Sequence, residues 1–165
     1  MNQEQAYEQR IWAALAQARQ HRESGDADGA AYLYCHALEW AEDVEARLGL
    51  AWTYSYNGRL EDAVLQCQKA QALDPDDGRA ANDHGVYLMQ QGLDDQALGY
   101  LERSIMAPRN PERHFPHYNL GRIHERRQDL GAAERAYCHA LAEHQAFDAA
   151  QKALERVQRK AQQRG

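Results

Sequence analysis

The sequence predicts an all-α fold built from repeated helical hairpins, and three observations lead there. The composition is that of a globular chain: 44% apolar and 27% charged over 165 residues, too apolar for disorder. Only four prolines interrupt it, so long stretches are free to be helical. The third observation is a repeat. Ala30, Ala63, Ala97 and Ala133 are separated by 33, 34 and 36 positions. Four residues after each stands a larger side chain (Tyr34, Cys67, Leu101, Tyr137), and seven residues after each another small one (Ala37, Ala70, Ser104, Ala140). Residues i, i+4 and i+7 share one helical face. Small, large, small on that face lets a second helix approach closely around one knob.

The elements follow in order, as one domain over 1–165. The first unit, 8–43, has a helix through Trp12, Leu15 and Ala18, a turn at Ser24-Gly25-Asp26, and a second helix through Ala30 and Ala37. The second, 44–77, carries Leu48, Leu50, Ala51 and Tyr54 before the Asn57-Gly58 turn, then Ala63, Cys67 and Ala70, and closes at Leu73-Asp74-Pro75. The third, 78–111, has Gly85, a turn at Gln91-Gly92, then Ala97 and Leu101. The fourth, 114–145, has Leu120-Gly121, a weaker turn at Gln128-Asp129, then Leu130, Ala133 and Tyr137. Glycine just past a periodic stretch is a helix stop. Two prolines in Ala107-Pro108-Arg109-Asn110-Pro111 mark a local irregularity between units three and four. A last amphipathic stripe, Phe147, Ala150, Leu154, Val157 and Ala161, predicts a capping helix over 146–163. Asp148 near its start and Arg159, Lys160 and Arg164 near its end agree with the helix dipole. The same helix could instead serve a partner or a dimer.

The second unit shows the pattern best. Leu50, Ala51 and Tyr54 sit where an L-G-x2-Y pattern runs, Ala63 and Cys67 fill A-x3-F, and Pro75 ends the unit. A hairpin of this length and pattern resembles the tetratricopeptide repeat. The tryptophan of that pattern is missing from all four units, where Ala14, Arg47, Ala81 and His117 stand instead. The resemblance implies a right-handed superhelix of four hairpins plus a C-terminal cap. It also implies a concave groove, lined by the first helix of each hairpin, that holds an extended or helical segment of another protein.

On that reading the groove residues are Leu48, Trp52 and Tyr56 in unit two, Arg79, Asn82, Val86 and Met89 in unit three, and Tyr118 and Arg122 in unit four. Phe115 and Glu125 extend the stripe in unit four, as do Trp12, Leu15, Arg19 and Arg22 in unit one. Tryptophan, tyrosine and arginine are the types that anchor interfaces. Trp12 and Trp52 also suit packing between adjacent hairpins, more so for Trp12. The two-carboxylate clamp of chaperone-binding repeats is disfavoured: the stripe has no lysine, and Asn119 alone matches an asparagine slot. The size and helical repeats also resemble bacterial secretion chaperones. A homodimer through the ends or the groove is the structural alternative.

Catalytic and cofactor chemistry finds no footing. There is no Gly-rich phosphate loop, G-x-S-x-G, H-E-x-x-H or C-x-x-C. His114, His117, His124, His139 and His144 cluster in the fourth unit, but His117 and His124 occupy packing slots, so partly buried histidines are expected rather than a metal site. Cys67 takes the large packing position, and Cys35 and Cys138 are also read as structural. The chain is therefore expected to be no enzyme, with no cofactor and no metal. A net charge of −6 argues against nucleic acid as a general partner. Residues 1–105 carry a net −10 and 106–165 a net +4, an asymmetry that either orients a partner or reflects two solvated faces. No apolar run approaches the ~18 residues of a membrane span, and Met1-Asn2-Gln3-Glu4-Gln5 lacks an export signal. Three cysteines cannot all pair, and a cytoplasmic location is expected.

Overall fold

The computed structural model describes residues 3–163. Met1, Asn2 and Arg164 of the sequence expectations above lie outside them. Among the described residues there are nine helices: α1 (Gln3–Glu23), α2 (Ala27–Leu38), α3 (Val44–Tyr56), α4 (Leu60–Leu73), α5 (Gly78–Gln90), α6 (Asp94–Met106), α7 (His114–Arg126), α8 (Leu130–Glu143) and α9 (Asp148–Gln162). They form four hairpins and one further helix, with no strand among the described residues beyond an isolated Asp77–Arg109 bridge.

Local chemistry sets the hairpin ends. Gly25, Gly58 and Gly92 take φ of 80°, 74° and 78°, the left-handed conformation that glycine adopts without strain. The fourth turn has no glycine, and Gln128 takes φ 61° in its place. At all four turns the next amide bonds back five residues: Asp26 to His21, Arg59 to Tyr54, Leu93 to Leu88 and Asp129 to His124, at 2.8–3.0 Å. That bond satisfies a carbonyl left open at the helix end. Asp26, Asp43, Asp77 and Asp129 cap the starts of α2, α3, α5 and α8, each accepting from a helix amide.

The three repeat columns are the core. Ala30, Ala63, Ala97, Ala133, Tyr34, Cys67, Leu101, Tyr137, Ala37, Ala70, Ser104 and Ala140 are all 0% exposed. Glycines on the facing helices let the knobs seat. A Cβ at Gly85 would meet Leu101 at 2.9 Å, and one at Gly121 would run into the Tyr137 ring. Gly49 has the same relation to Tyr34 across the α2–α3 contact.

The chain divides into two compact units, one ending at Pro75 and the other beginning at Asp76. Unit 1 holds α1–α4, with a core of Leu15, Ala18, Tyr34, Ala46 and Leu50. Unit 2 holds α5–α9, with one cluster around Leu88, Met89, Leu101 and Ile123 and another around Ala133, Tyr137, Ala153 and Val157. The proline-rich link in unit 2 is irregular but firmly tied. Asn110 donates to the Ser104 carbonyl at 2.8 Å, the Ser104 hydroxyl donates to the Gly78 carbonyl at 2.7 Å, and Arg113 donates to the carbonyls of Ile105 and Ala107. α9 covers α8 with Ala150, Ala153 and Val157. Ala161, expected in that stripe, is exposed, and Ala153 joins the buried face.

Candidate functional site

In unit 1, α3 carries Leu48, Trp52 and Tyr56 one turn apart. The Trp52 and Tyr56 rings stack with centroids 5.3 Å apart, and Tyr56 is 62% exposed. Leu48 is buried, so it belongs to the interior and offers no surface. Trp12 on α1 is 63% exposed, which corrects the expectation that it packs between hairpins. Its neighbour one turn on, Leu15, fills the core in its stead. Arg19 on α1 pairs with Glu45 on α3 at 3.0 Å.

In unit 2, α5 and α7 lie side by side and share a polar chain. Asn119 donates to the Asn82 side chain at 3.1 Å, and Arg122 donates to the Asn119 side chain at 3.2 Å. The Arg122 guanidinium also stands 5.9 Å from the Tyr118 ring, within reach of a cation–π contact. Tyr118 itself packs on Tyr137 and Phe147. Val86 is half-buried, and Met89 belongs to the apolar cluster and is not a surface residue. Arg79 grips Asp77, the cap of its own helix, with Nη2 to Oδ2 at 2.6 Å. Burial pushes the Asp77 carboxyl up, but the Arg79 side chain and amide outweigh it and hold the group below its ordinary range. Arg79 is thus committed to its helix start.

Glu125, near the end of α7, is a strongly perturbed carboxylate. Its oxygens accept from Arg156 Nε (2.8 Å) and Nη2 (2.7 Å), from Lys160 Nζ (2.8 Å) and from the Tyr137 hydroxyl (3.0 Å). The Arg156 bonds outweigh desolvation, and with Lys160 and Tyr137 they bring its pKa down to about 2. Burial, and then donation to Glu125, push the Tyr137 hydroxyl up. Above this knot lies an open cleft of about 350 Å³ lined by Arg122, Glu125, Arg126, Gln128, Arg156 and Lys160. Sequence reasoning placed Glu125 and Arg122 on the stripe and read Lys160 only as a helix-end charge. The signal for the rest was the repeat period itself. Arg156 lies 31 residues after Glu125 and Lys160 lies 35 after it, close to the spacing that sets neighbouring first helices side by side.

The histidines pack as rings. His117 stacks on His139 at 5.2 Å and His114 lies 4.9 Å from His144. Burial lowers the pKa of His114 and His117. Among the described residues no three His, Cys, Asp or Glu side chains converge as metal ligands. Cys67 is buried, but Cys35 and Cys138 are exposed. The structural reading of the cysteines therefore applies to Cys67 alone, since the other two sit one position past the buried knob, on the outer face. Among the described residues no helix is long and apolar enough to cross a membrane.

The comparisons with known proteins agree with this architecture. The tetratricopeptide repeat family model matches residues 44–77, the second hairpin. No curated protein sequence matches the chain. Among solved structures, the chain is similar to pilF of Pseudomonas aeruginosa, with a TM-score of 0.87 and 19% identity over 96% of this chain and 72% of that one. It is similar to PilW, a widely conserved type IV pilus biogenesis factor, with a TM-score of 0.82 and 22% identity over 99% and 72%. It is also similar to YrrB, a repeat protein with an unusual peptide-binding site, with a TM-score of 0.69 and 18% identity over 88% and 74%. At these identities the likeness is one of fold.

Proposed function

We propose, from the premise that this chain is a tetratricopeptide repeat protein, that it is a non-catalytic interaction module whose first helices receive a segment of another protein. The observation that carries this reading is the stacked Trp52–Tyr56 pair on α3. Its outer ring, Tyr56, is 62% exposed and is held against Trp52 one turn earlier on the same helix. An exposed aromatic, held by a neighbour in one rotamer, loses little entropy on binding and buries a large area. In unit 2, α5 and α7 offer the half-buried Asn82 amide and the exposed Arg122, tied together by the buried Asn119, groups suited to the backbone and charges of a peptide. The peptide-binding site of the structurally similar YrrB supports the same use of the fold, and the likeness to a pilus biogenesis factor supports a scaffold role without fixing the pathway. The exposed thiols of Cys35 and Cys138 suit a reducing compartment, and a cytoplasmic location is part of the proposal.

The test is capture of partners from the source cell, followed by peptide mapping and titration of the mapped segment. Tyr56→Ala is expected to weaken binding at least tenfold while the melting curve stays in place. Binding that survives Tyr56→Ala and Trp52→Ala, or that falls only as far as folding does, overturns the reading. A solution mass of twice the chain, with no captured segment, favours the homodimer.

A further inference from the structure

We propose that the outer face of α2 is a docking surface for an arginine-bearing helical segment of a protein, separate from the segment that the first helices receive. The face holds Asp28, Tyr32, His36 and Glu39, which fall on one stripe at helical spacing, with Trp40 at its edge. α2 is a second helix, so this surface stands or falls independently of the first-helix reading.

Core packing does not account for the rings on this face. Tyr34 and Ala37 turn α2 toward the core of unit 1, with Leu33 and Leu38 packed beside them. Tyr32 lies two positions before Tyr34, on the opposite side of the helix, and is 69% exposed. It nevertheless belongs to an ordered ladder. Its ring stacks on His36 with centroids 6.1 Å apart, and His36 and Trp40 meet edge to face at 4.3 Å. The Trp40 amide donates to the Ala37 carbonyl at 3.1 Å, which ties down the end of the ladder. Exposed rings already ordered by their neighbours offer contact area at small entropic cost.

Charge names the occupant. Between Arg22 and Arg47 the sequence has seven acidic residues and no lysine or arginine. Four of the seven are engaged: Asp26 and Asp43 cap helices, Glu42 pairs with Arg47 and Glu45 with Arg19. Lys69 on α4 also acts on Glu42. Asp28 and Glu39 form no ion pair with any described residue, and they flank the rings about 17 Å apart along the helix. Unit 1 itself shows the contact that such a combination accepts. Arg59 lies 4.4 Å from the centre of the Tyr54 ring and donates to Asp62 at 2.7 Å, so one guanidinium covers a ring and a carboxylate together. The α2 face has the rings and the carboxylates without the guanidinium. Its stations lie one turn apart, about 6 Å, which is the spacing of i and i+4 side chains on a partner helix. A lone small cation fills one station, whereas a segment with arginines one turn apart fills several.

Three sixteen-residue peptides repeating Ala-Ala-Ala-X, with X arginine, lysine or glutamine, probe this face. Each is titrated into the full chain at physiological salt, where attraction between distant exposed charges is screened, while the tryptophan indole resonances are followed. The expected result is binding of the arginine peptide with a shift at Trp40 and none at Trp12 or Trp52, at least threefold weaker binding of the lysine peptide, and none of the glutamine peptide. Tyr32→Ala should weaken the arginine peptide at least fivefold with the melting temperature in place. Asp28→Asn with Glu39→Gln should weaken it as much. Glu8→Gln with Glu102→Gln makes the same charge change at exposed positions elsewhere and should leave the affinity within twofold. Equal losses from the two charge pairs, or binding that leaves Trp40 unmoved, overturns the face in favour of general charge attraction. Equal binding of the arginine and lysine peptides overturns the guanidinium assignment, and no binding by any peptide overturns the face. A solution mass of twice the chain that returns to one chain in Tyr32→Ala gives the face to a second copy and overturns the partner. The first-helix reading is judged separately, by the captured partner's dependence on Tyr56.

Discussion

Tyr34 and Tyr137 occupy the same slot of their hairpins, and both are fully buried, yet their hydroxyls differ. The Tyr34 hydroxyl has no hydrogen-bond partner among the described residues, whereas Tyr137 donates to Glu125 at 3.0 Å. An unpaired buried hydroxyl is a cost, while a bond to a charged acceptor contributes about 1.5–3 kcal/mol. Tyr34→Phe should therefore leave the melting temperature unchanged or raise it, and Tyr137→Phe should lower it, in parallel thermal melts. The opposite order would mean that the two hydroxyls are misassigned. Gln128 gives a second residue-scale test. Its left-handed φ of 61° costs an L-residue about 1–2 kcal/mol, part of which glycine returns as unfolded-state entropy. Gln128→Gly should gain about 0.5–1 kcal/mol in urea denaturation. Gly49→Ala should do the reverse. Its methyl meets the buried Tyr34 ring, and overpacking of this kind costs about 1–3 kcal/mol.

At the scale of the element, α9 is where packing and charge meet. Deleting residues 146–165 removes Ala153 and Val157 from the Ala133–Tyr137 cluster and strips Arg156 and Lys160 from Glu125. The expected outcome is aggregation or a clearly lowered melting temperature. A truncated chain that stays soluble and equally stable but loses a partner makes α9 an interaction element. Acid should also weaken unit 2 through α5 and α7. Burial holds His84, which stacks on Tyr100, down to about 4 against an ordinary 6.5. Below pH 6.5 the unfolded chain takes up a proton that the folded His84 refuses, so stability falls as pH drops from 6.5 to about 4. Glu125, depressed from 4.5 to about 2, adds a second loss between those values. Melts across pH 7 to 3 should show both limbs. His114 and His117, also lowered by burial, add to the first limb, so His84→Phe should reduce it without abolishing it, and an unchanged first limb in that variant would contradict the burial account.

For the whole molecule, the repeat was the legible part. Column spacing alone located the four hairpins, the Gly25, Gly58 and Gly92 turns, and even Gln128 at the turn without glycine, because close helix packing leaves a small–large–small trace that solvent-facing residues do not obscure. The interaction face was legible only in part. Periodicity puts Leu48, Trp52 and Tyr56 on one stripe, but burial across a stripe depends on the neighbouring helix, so Leu48 and Met89 fall inside while Trp12 falls outside. The Gly49–Tyr34 contact was hidden because it crosses between hairpins. The Glu125 knot was hidden because each partner, seen alone, is an ordinary helix-surface charge. The central claim is that first helices, not second helices, meet the partner. Amide hydrogen exchange of the full chain, with and without the mapped partner segment, tests it most directly. The account predicts new protection concentrated on α3, α5 and α7, with α4, α6 and α8 unchanged. Protection confined to α4, α6 and α8 would contradict it.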